Sequence, residues 1–262
     1  MDVHGLRCLV TGTASGIGEA VARDLLERGA QVVSLDRDTP RLDVTQHVGV
    51  DLAVPQSIDA ALARVEGGVD ALINVAGIPG TAPGEMVFQV DFLGLRHLTE
   101  AVVDRLNRGG SITNVSSTAG FGWPARLEQI TALLATDSFA EGLKWFRAHT
   151  PEGNAYNFAK EAVTVYTMSL GASLHRRGLR ANAVLPGPVE TPILADFEKS
   201  MGKENLDGVK AFLGRHGTPQ DIAPTVVFLA GRDARWVNGA TLVADGGITG
   251  AVLAGLVPAP EI

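Results

Sequence analysis

The sequence predicts an α/β fold: a doubly wound parallel sheet of about seven strands with helices on both faces. Three observations predict it. Short apolar runs of strand length alternate with segments of helical period along the whole chain. The first apolar run ends in a glycine-rich turn that opens a helix. The 262 residues, 45% of them hydrophobic, carry no internal repeat, low-complexity tract or linker, so residues 1–262 read as one domain with one sizeable core.

The elements follow in order. "RCLVTG" (7–12) is an apolar run that ends in glycine. "GEAVARDLLERG" (18–29) places Val21, Leu25 and Leu26 on one helical face, and Gly29 stops it. "QVVSLD" (31–36), "VGVDL" (48–52) and "DALINVAG" (70–77) read as strands, with the helical "PQSIDAALARVEG" (55–67) before the last of them. A long helix is expected over roughly 85–106, a strand at "GSITNVSS" (110–117), a helix over 154–177 and a strand at "LRANAVLPG" (179–187). Residues 219–230 read as helix and "ATLVADGG" (240–247) as the last strand. Apolar strands spaced by helices require right-handed crossovers, which cover both faces of the sheet.

Charge and composition exclude several functions. The formal net charge is −7 and no basic run occurs, which argues against a nucleic-acid partner. No apolar run is long enough to cross a bilayer and no signal sequence is evident, so a cytoplasmic location is expected. The single cysteine, Cys8, lies in an apolar run and is expected to be a buried, inert thiol. The few histidines lack ligand spacing, so no metal is implied, and His97 is expected to be structural or exposed.

Two local patterns carry chemistry. "VTGTASGIGEA" places Gly12, Gly16 and Gly18 where strand turns into helix, with Ser15 and Ile17 among them. Such a turn lets backbone N–H groups approach a phosphate, and the helix N-terminus adds partial positive charge. Asp36 ends the second strand, 20 residues after Gly16. A carboxylate there accepts from both adenosine ribose hydroxyls and repels a 2′-phosphate, which favours NAD over NADP, although Arg37 beside it could pair with that phosphate. In "AYNFAK" (155–160), Tyr156 and Lys160 sit one helical turn apart. A free tyrosine titrates near pH ~10 and is a poor base at neutral pH. Moving it to ~7 takes about 4 kcal/mol of differential stabilisation, which a nearby ammonium and a cationic nicotinamide ring would largely supply. Such a tyrosine can take a proton from an alcohol or return one to a carbonyl oxygen.

"TGTASGIG" (11–18), "NVAG" (74–77), "SS" (116–117), "YNFAK" (156–160) and "LPGPVETP" (185–192) occur in this order in one chain. Together, over about residues 5–250, they resemble the short-chain dehydrogenase/reductase family of Rossmann-fold oxidoreductases. The resemblance implies Ser117 as the substrate-oxygen donor, with Ser116 its confusable neighbour, Tyr156 as the acid/base, and Lys160 as the group that lowers the tyrosine's pKa and holds the nicotinamide ribose. It places Asn74, Ala76 and Gly77 under the adenine ribose, Asp51 and Leu52 at the adenine, and Pro186, Gly187, Val189 and Thr191 at the carboxamide. It also implies a small-molecule alcohol or ketone substrate and a homodimer or homotetramer.

Two departures from the family pattern matter. Asp91, in "VFQVDFLG", stands where the family has an asparagine that anchors a water. Ionised, it would pair with Lys160, weaken the lysine's effect on Tyr156 and favour a higher pH optimum. The preferred expectation is that only the backbone carbonyl matters and the side chain points elsewhere. The second departure is length. Ser117 and Tyr156 are 39 residues apart, and the extra segment, 121–153, reads as two short amphipathic helices, the second opened by a capping box at "SFAE" (138–141). They either roof the substrate pocket or form a surface lobe that alters subunit contacts. A similar insertion, and the ending "VADGGITGAV", mark a branch with bacterial 3α-hydroxysteroid dehydrogenase/carbonyl reductases and coniferyl-alcohol dehydrogenases.

Residues 192–214 match the family's substrate lid and carry Ile193, Leu194, Phe197, Met201 and Phe212; with Trp123 and Trp145 they are expected to make an apolar pocket. The resulting expectation is an NAD-dependent dehydrogenase of a bulky secondary or aryl alcohol. The alternatives are an NADPH-dependent carbonyl reductase and a non-catalytic NAD-sensing scaffold.

Overall fold

The computed structural model describes residues 1–149, 151–194, 196, 199 and 203–258. Its centre is a seven-stranded parallel sheet in the order β3-β2-β1-β4-β5-β6-β7. The strands are β1 (Arg7–Thr11), β2 (Gln31–Asp36), β3 (Gln46–Gly49), β4 (Val69–Asn74), β5 (Leu106–Val115), β6 (Arg180–Pro186) and β7 (Thr241–Ala244). The chain runs outward from β1 to β3, then returns to the other side of β1 with β4. The strand order therefore reverses between β1 and β4, and a crevice opens beyond their carboxyl ends.

Alternation along β1 decides which face each side chain covers. Cys8 and Val10 pack with Val21 and Leu25 of α1 (Gly16–Glu27) and with Val226 and Val227 of a late helix. Leu9 points the other way, onto a core with Ile58 of α2 (Pro55–Ala63) and Leu98. Burial pushes the Cys8 thiol up to about 12, as an inert core cysteine requires.

The expected long helix over 85–106 is not continuous. It consists of α3 (Gly84–Phe88), a π-helical turn (Gln89–Gly94) and α4 (Leu95–Val102), followed by a 3₁₀ turn (Val103–Arg105) and then β5, which starts before the expected residue 110. Side-chain periodicity cannot reveal a π turn, because one extra residue per turn leaves the apolar pattern on either side intact. β3 spans 46–49 rather than 48–52, which leaves Asp51 and Leu52 in the loop after it.

The insertion folds as a 3₁₀ stretch (Thr118–Arg126), α5 (Leu127–Leu134) and α6 (Phe139–His149). Ser138 accepts from the Glu141 N–H at 3.2 Å, but Glu141 reaches back to the Asp137 N–H rather than to that of Ser138, so the capping box is offset by one residue. Ile130, Leu133, Phe139 and Phe146 build a third core with Phe88, Phe92 and Phe158, and Phe146 stacks on Phe88 at 4.2 Å.

Further helices follow among the described residues. They are α7 (Ala155–Leu174), α8 (Lys203–Leu213), α9 (Pro219–Ala230) and α10 (Ile248–Leu253). Among the described residues no helix is long and apolar enough to cross a membrane.

Candidate active site

The crevice beyond the strand ends is lined by β1–α1, the ends of β2, β4, β5 and β6, one face of α7, and the start of the lid. It gathers Gly12, Ser15, Gly16, Ile17, Gly18, Asp36, Asp51, Leu52, Ala76, Gly77, Asp91, Ser117, Tyr156, Lys160, Pro186, Gly187, Val189 and Thr191. Asn74 is not on its wall. That side chain is buried in the sheet, and its Nδ2 donates to Thr99 Oγ1 at 3.0 Å and Asn114 Oδ1 at 2.8 Å. It ties β4 to α4 and β5 from behind.

At the dinucleotide end, Ser15 precedes α1 with extended backbone and its side chain caps nothing. The first turn of α1 therefore presents its orphan N–H groups and its positive dipole end to the crevice. Gly18 is dictated by packing, since a Cβ there would overlap the Gly12 carbonyl oxygen. Asp36 is held in place by two backbone donors, the N–H groups of Ala14 at 2.9 Å and Asp38 at 3.0 Å. Its fixed carboxylate faces the crevice beside Arg37 and Asp38.

The Tyr156 end is built by capping and burial. Asn154 accepts from the Tyr156 N–H at 2.8 Å and starts α7 there. Tyr156 and Lys160 are then one turn apart, with Lys160 Nζ 5.3 Å from the tyrosine ring centre. The Ser117 hydroxyl hydrogen-bonds Tyr156 and also accepts from the Ala119 N–H at 3.1 Å. Ser116 is different. The residue lines the crevice, but its hydroxyl is buried, donates to the Lys160 carbonyl at 2.7 Å and so braces α7.

Asp91 corrects the preferred expectation. Its side chain does not point elsewhere: the π turn presents it to the site, fully buried. One oxygen accepts from the Ile78 N–H at 2.8 Å and the other lies 3.2 Å from Lys160 Nζ. The second contact is an ion pair off hydrogen-bond geometry. Gly77 leaves room for this, because a Cβ there would sit 3.1 Å from the Asp91 oxygen and 3.3 Å from Lys160 Nζ.

The titration of the group follows from burial. Desolvation raises Asp91 above the usual carboxylate range, against the pull of Lys160 and the Ile78 N–H. Desolvation alone would lower Lys160, but the Asp91 charge and Tyr156 more than offset it and the ammonium is raised. Tyr156 is also raised. Burial is the largest cause, Asp91 adds to it, and Lys160 and Ser117 oppose it. Lys160 thus lowers the tyrosine, as the sequence leads one to expect, but in the protein alone burial and Asp91 outweigh it.

The lid side is apolar. Pro192, Ile193, Leu194 and Leu206 of α8 reach the crevice. Sequence reading missed Leu206, whose only signal was its place in a helical period. Phe212 is exposed, and Phe197 and Met201 lie outside the described residues. Trp123 and Trp145 do not reach the crevice but pack on the third core, with Trp145 stacked 6.0 Å from Phe158. None of the described residues of 121–153 lines the crevice, and those of α5 and α6 pack toward α3 and α7. His97, on α4, bonds Asp59 at 2.8 Å, away from the site.

Fold and site together define an oxidoreductase acting on CH–OH groups, and the chain belongs to the short-chain dehydrogenase/reductase family. Residues 7–127 match the family model for short chain dehydrogenase, and residues 144–249 match that for enoyl-(acyl carrier protein) reductase. The chain is 38% identical to a coniferyl-alcohol dehydrogenase from Pseudomonas sp. over 95% of its length and 98% of the relative's. A 3α-hydroxysteroid dehydrogenase from Pseudomonas sp., solved with NADH, superposes with a TM-score of 0.75 at 29% identity, covering 95% of this chain and 98% of that one. A protein from Agrobacterium tumefaciens described as a 2-deoxy-D-gluconate 3-dehydrogenase, solved with NADP, gives 0.74 at 26% identity, with coverage of 95% and 98%. The first two lie on the branch that the sequence motifs resemble.

Proposed function

We propose that this chain is an NAD-dependent dehydrogenase of a bulky secondary or aryl alcohol, with Tyr156 as its acid/base. The observation that carries the reading is the joint presence of Ser117, Tyr156 and Lys160 on one crevice wall, opposite the uncapped start of α1. The residues fit a nicotinamide dinucleotide. The start of α1 leaves its first N–H groups uncapped at the crevice, with Gly12, Gly16 and Gly18 on its lining, and Asp36 offers a fixed acceptor for ribose hydroxyls. When bound, the nicotinamide supplies a hydride acceptor or donor.

The chain's own residues do the rest. Ser117 holds the substrate oxygen. Tyr156 takes the proton from an alcohol, or gives it to a carbonyl oxygen in the reverse direction. Lys160 supplies the positive charge beside the phenol. NAD is favoured because Asp36 is held by two N–H groups toward the crevice and would repel a 2′-phosphate. An apolar substrate is favoured by Pro192, Ile193, Leu194 and Leu206, and an aryl alcohol by the likeness to coniferyl-alcohol dehydrogenase. A cytoplasmic homodimer or homotetramer completes the reading.

The test is turnover of coniferyl alcohol, a 3α-hydroxysteroid and a simple secondary alcohol, each with NAD+ and with NADP+. The reading predicts a higher kcat/KM with NAD+ and with one of the two bulky alcohols. Preference for NADP+ would favour the carbonyl-reductase alternative. Cofactor binding without turnover of any alcohol or ketone would favour the sensing scaffold.

A further inference from the structure

The charge count around Tyr156 is unusual for a residue that must lose a proton. The charged and titratable groups that bear on it are Lys160, one turn along α7, and Asp91 on the π turn. Ser117, at the end of β5, adds a neutral hydroxyl. Glu161, the next residue of α7, is engaged with Arg126 instead. With Tyr156 protonated, one ammonium faces one carboxylate and the buried group carries no net charge. Loss of the tyrosine proton leaves it with one net negative charge inside a low-dielectric wall. An uncharged side chain at position 91 would give the opposite case, one net positive charge that falls to zero as the proton leaves.

The Asp91 oxygen nearer Lys160 has no hydrogen-bond partner among the described residues, although the side chain is fully buried. Gly77, which has no side chain, lies beside that oxygen and the ammonium and lines the crevice. The Asp91 charge, covered and paired with Lys160, therefore lies just behind the crevice wall. A ligand that brings a positive charge to this wall would offset it, and one that brings none would not.

We propose that Asp91 is a fixed counter-charge to Lys160, which keeps Tyr156 protonated in the free protein and makes the crevice bind the oxidised dinucleotide, with its cationic ring, in preference to the reduced one. The inference rests on the nicotinamide reading above and deepens it. By linkage, the ring charge that gains from a deprotonated Tyr156 must release its proton to the same extent. Binding of the oxidised form and activation of the base become one event. Asp91 touches neither proton nor hydride; it acts through Lys160 and Tyr156.

Two readouts test this, one of them without cofactor. The chain has two tyrosines, Tyr156 and Tyr166. The Tyr166 hydroxyl is buried without a hydrogen-bond partner among the described residues, so Tyr166→Phe removes an unsatisfied group and leaves Tyr156 as the sole tyrosinate signal. In that background the tyrosinate absorbance is titrated with and without Asp91→Asn, with circular dichroism confirming the fold. The expected result is a midpoint at least about one pH unit lower in Asp91→Asn. The second readout is the pair of dissociation constants for NAD+ and NADH at neutral pH. The preference for NAD+ is expected to fall about tenfold in Asp91→Asn, and Asp91→Glu to restore part of it.

An unchanged midpoint overturns the proposal, as it would if Asp91 were itself protonated. A lowered midpoint with an unchanged NAD+/NADH ratio overturns the cofactor half. Absence of binding of either dinucleotide to the parent protein overturns the nicotinamide reading instead, and the titration still decides the counter-charge.

Discussion

Arg126→Met probes how the insertion is joined to α7, the helix that carries Tyr156 and Lys160. Glu161 follows Lys160 on α7 and its side chain is 5% exposed. The chain closes over it at Gly122, where a Cβ would overlap a Glu161 oxygen. Arg126, 26% exposed, places its Nε 3.5 Å from the carboxylate and lies 5.9 Å above the Phe158 ring. Methionine keeps the apolar contact and removes the charge. At an effective dielectric of about 20, unit charges at this distance attract by about 5 kcal/mol, and orphaning one partner of a fully buried pair costs about 3–5 kcal/mol. Solvent access to Arg126 reduces this, to about 2 kcal/mol.

The pH dependence of that loss has a definite sign. Desolvation raises Glu161 above the usual range and Arg126 opposes the rise. A carboxylate raised on folding favours the fold at low pH, and that contribution is lost as pH rises through the folded pKa. Removing Arg126 lifts Glu161 further. The deficit of Arg126→Met, read from urea unfolding, should therefore be full at mildly alkaline pH and shrink toward acid pH. Adding Glu161→Gln should recover part of it at alkaline pH. An unaltered stability, or a deficit that does not vary with pH, would refute the reasoning.

Other expectations follow from the same geometry. Ser117→Ala should lower kcat by about 100-fold if, as proposed, its hydroxyl holds the substrate oxygen. Ser116→Ala should cost about 1 kcal/mol of stability in urea unfolding and retain activity, because its hydroxyl bonds the Lys160 carbonyl and Thr164 within α7. Asp36→Ala should raise the NADP+/NAD+ ratio of kcat/KM by about tenfold or more, since one repulsive carboxylate is removed. Cys8, with its thiol pushed up to about 12, should resist a thiol reagent in the folded protein and react fully in denaturant.

Much of this architecture was legible in the sequence because it rests on period and punctuation. The alternation of strands and helices fixed the sheet, and strand-turn-helix context marked the Gly12–Gly18 turn. Tyr156 and Lys160 are local, one helical turn apart, so their shared face follows from spacing alone. What could not be read depends on contacts between distant segments. The direction of the Asp91 side chain depends on a π turn that leaves no periodic trace. Asn74 lies behind the wall because Thr99 and Asn114, 25 and 40 residues away, hold it there. The two tryptophans of the insertion were read toward the pocket, yet Phe88, Phe92 and Phe158 give them an apolar surface elsewhere. Nor does any pattern announce the Arg126–Glu161 pair.

The most direct measurement compares Tyr156→Phe with the parent protein in one assay, recording dinucleotide affinity and alcohol turnover together. The account predicts that the variant folds and still binds NAD+, and that turnover falls by at least about 1000-fold because the proton has no acceptor at that position. Turnover within a few-fold of the parent would contradict the assignment of Tyr156, and with it the proposed role of the crevice.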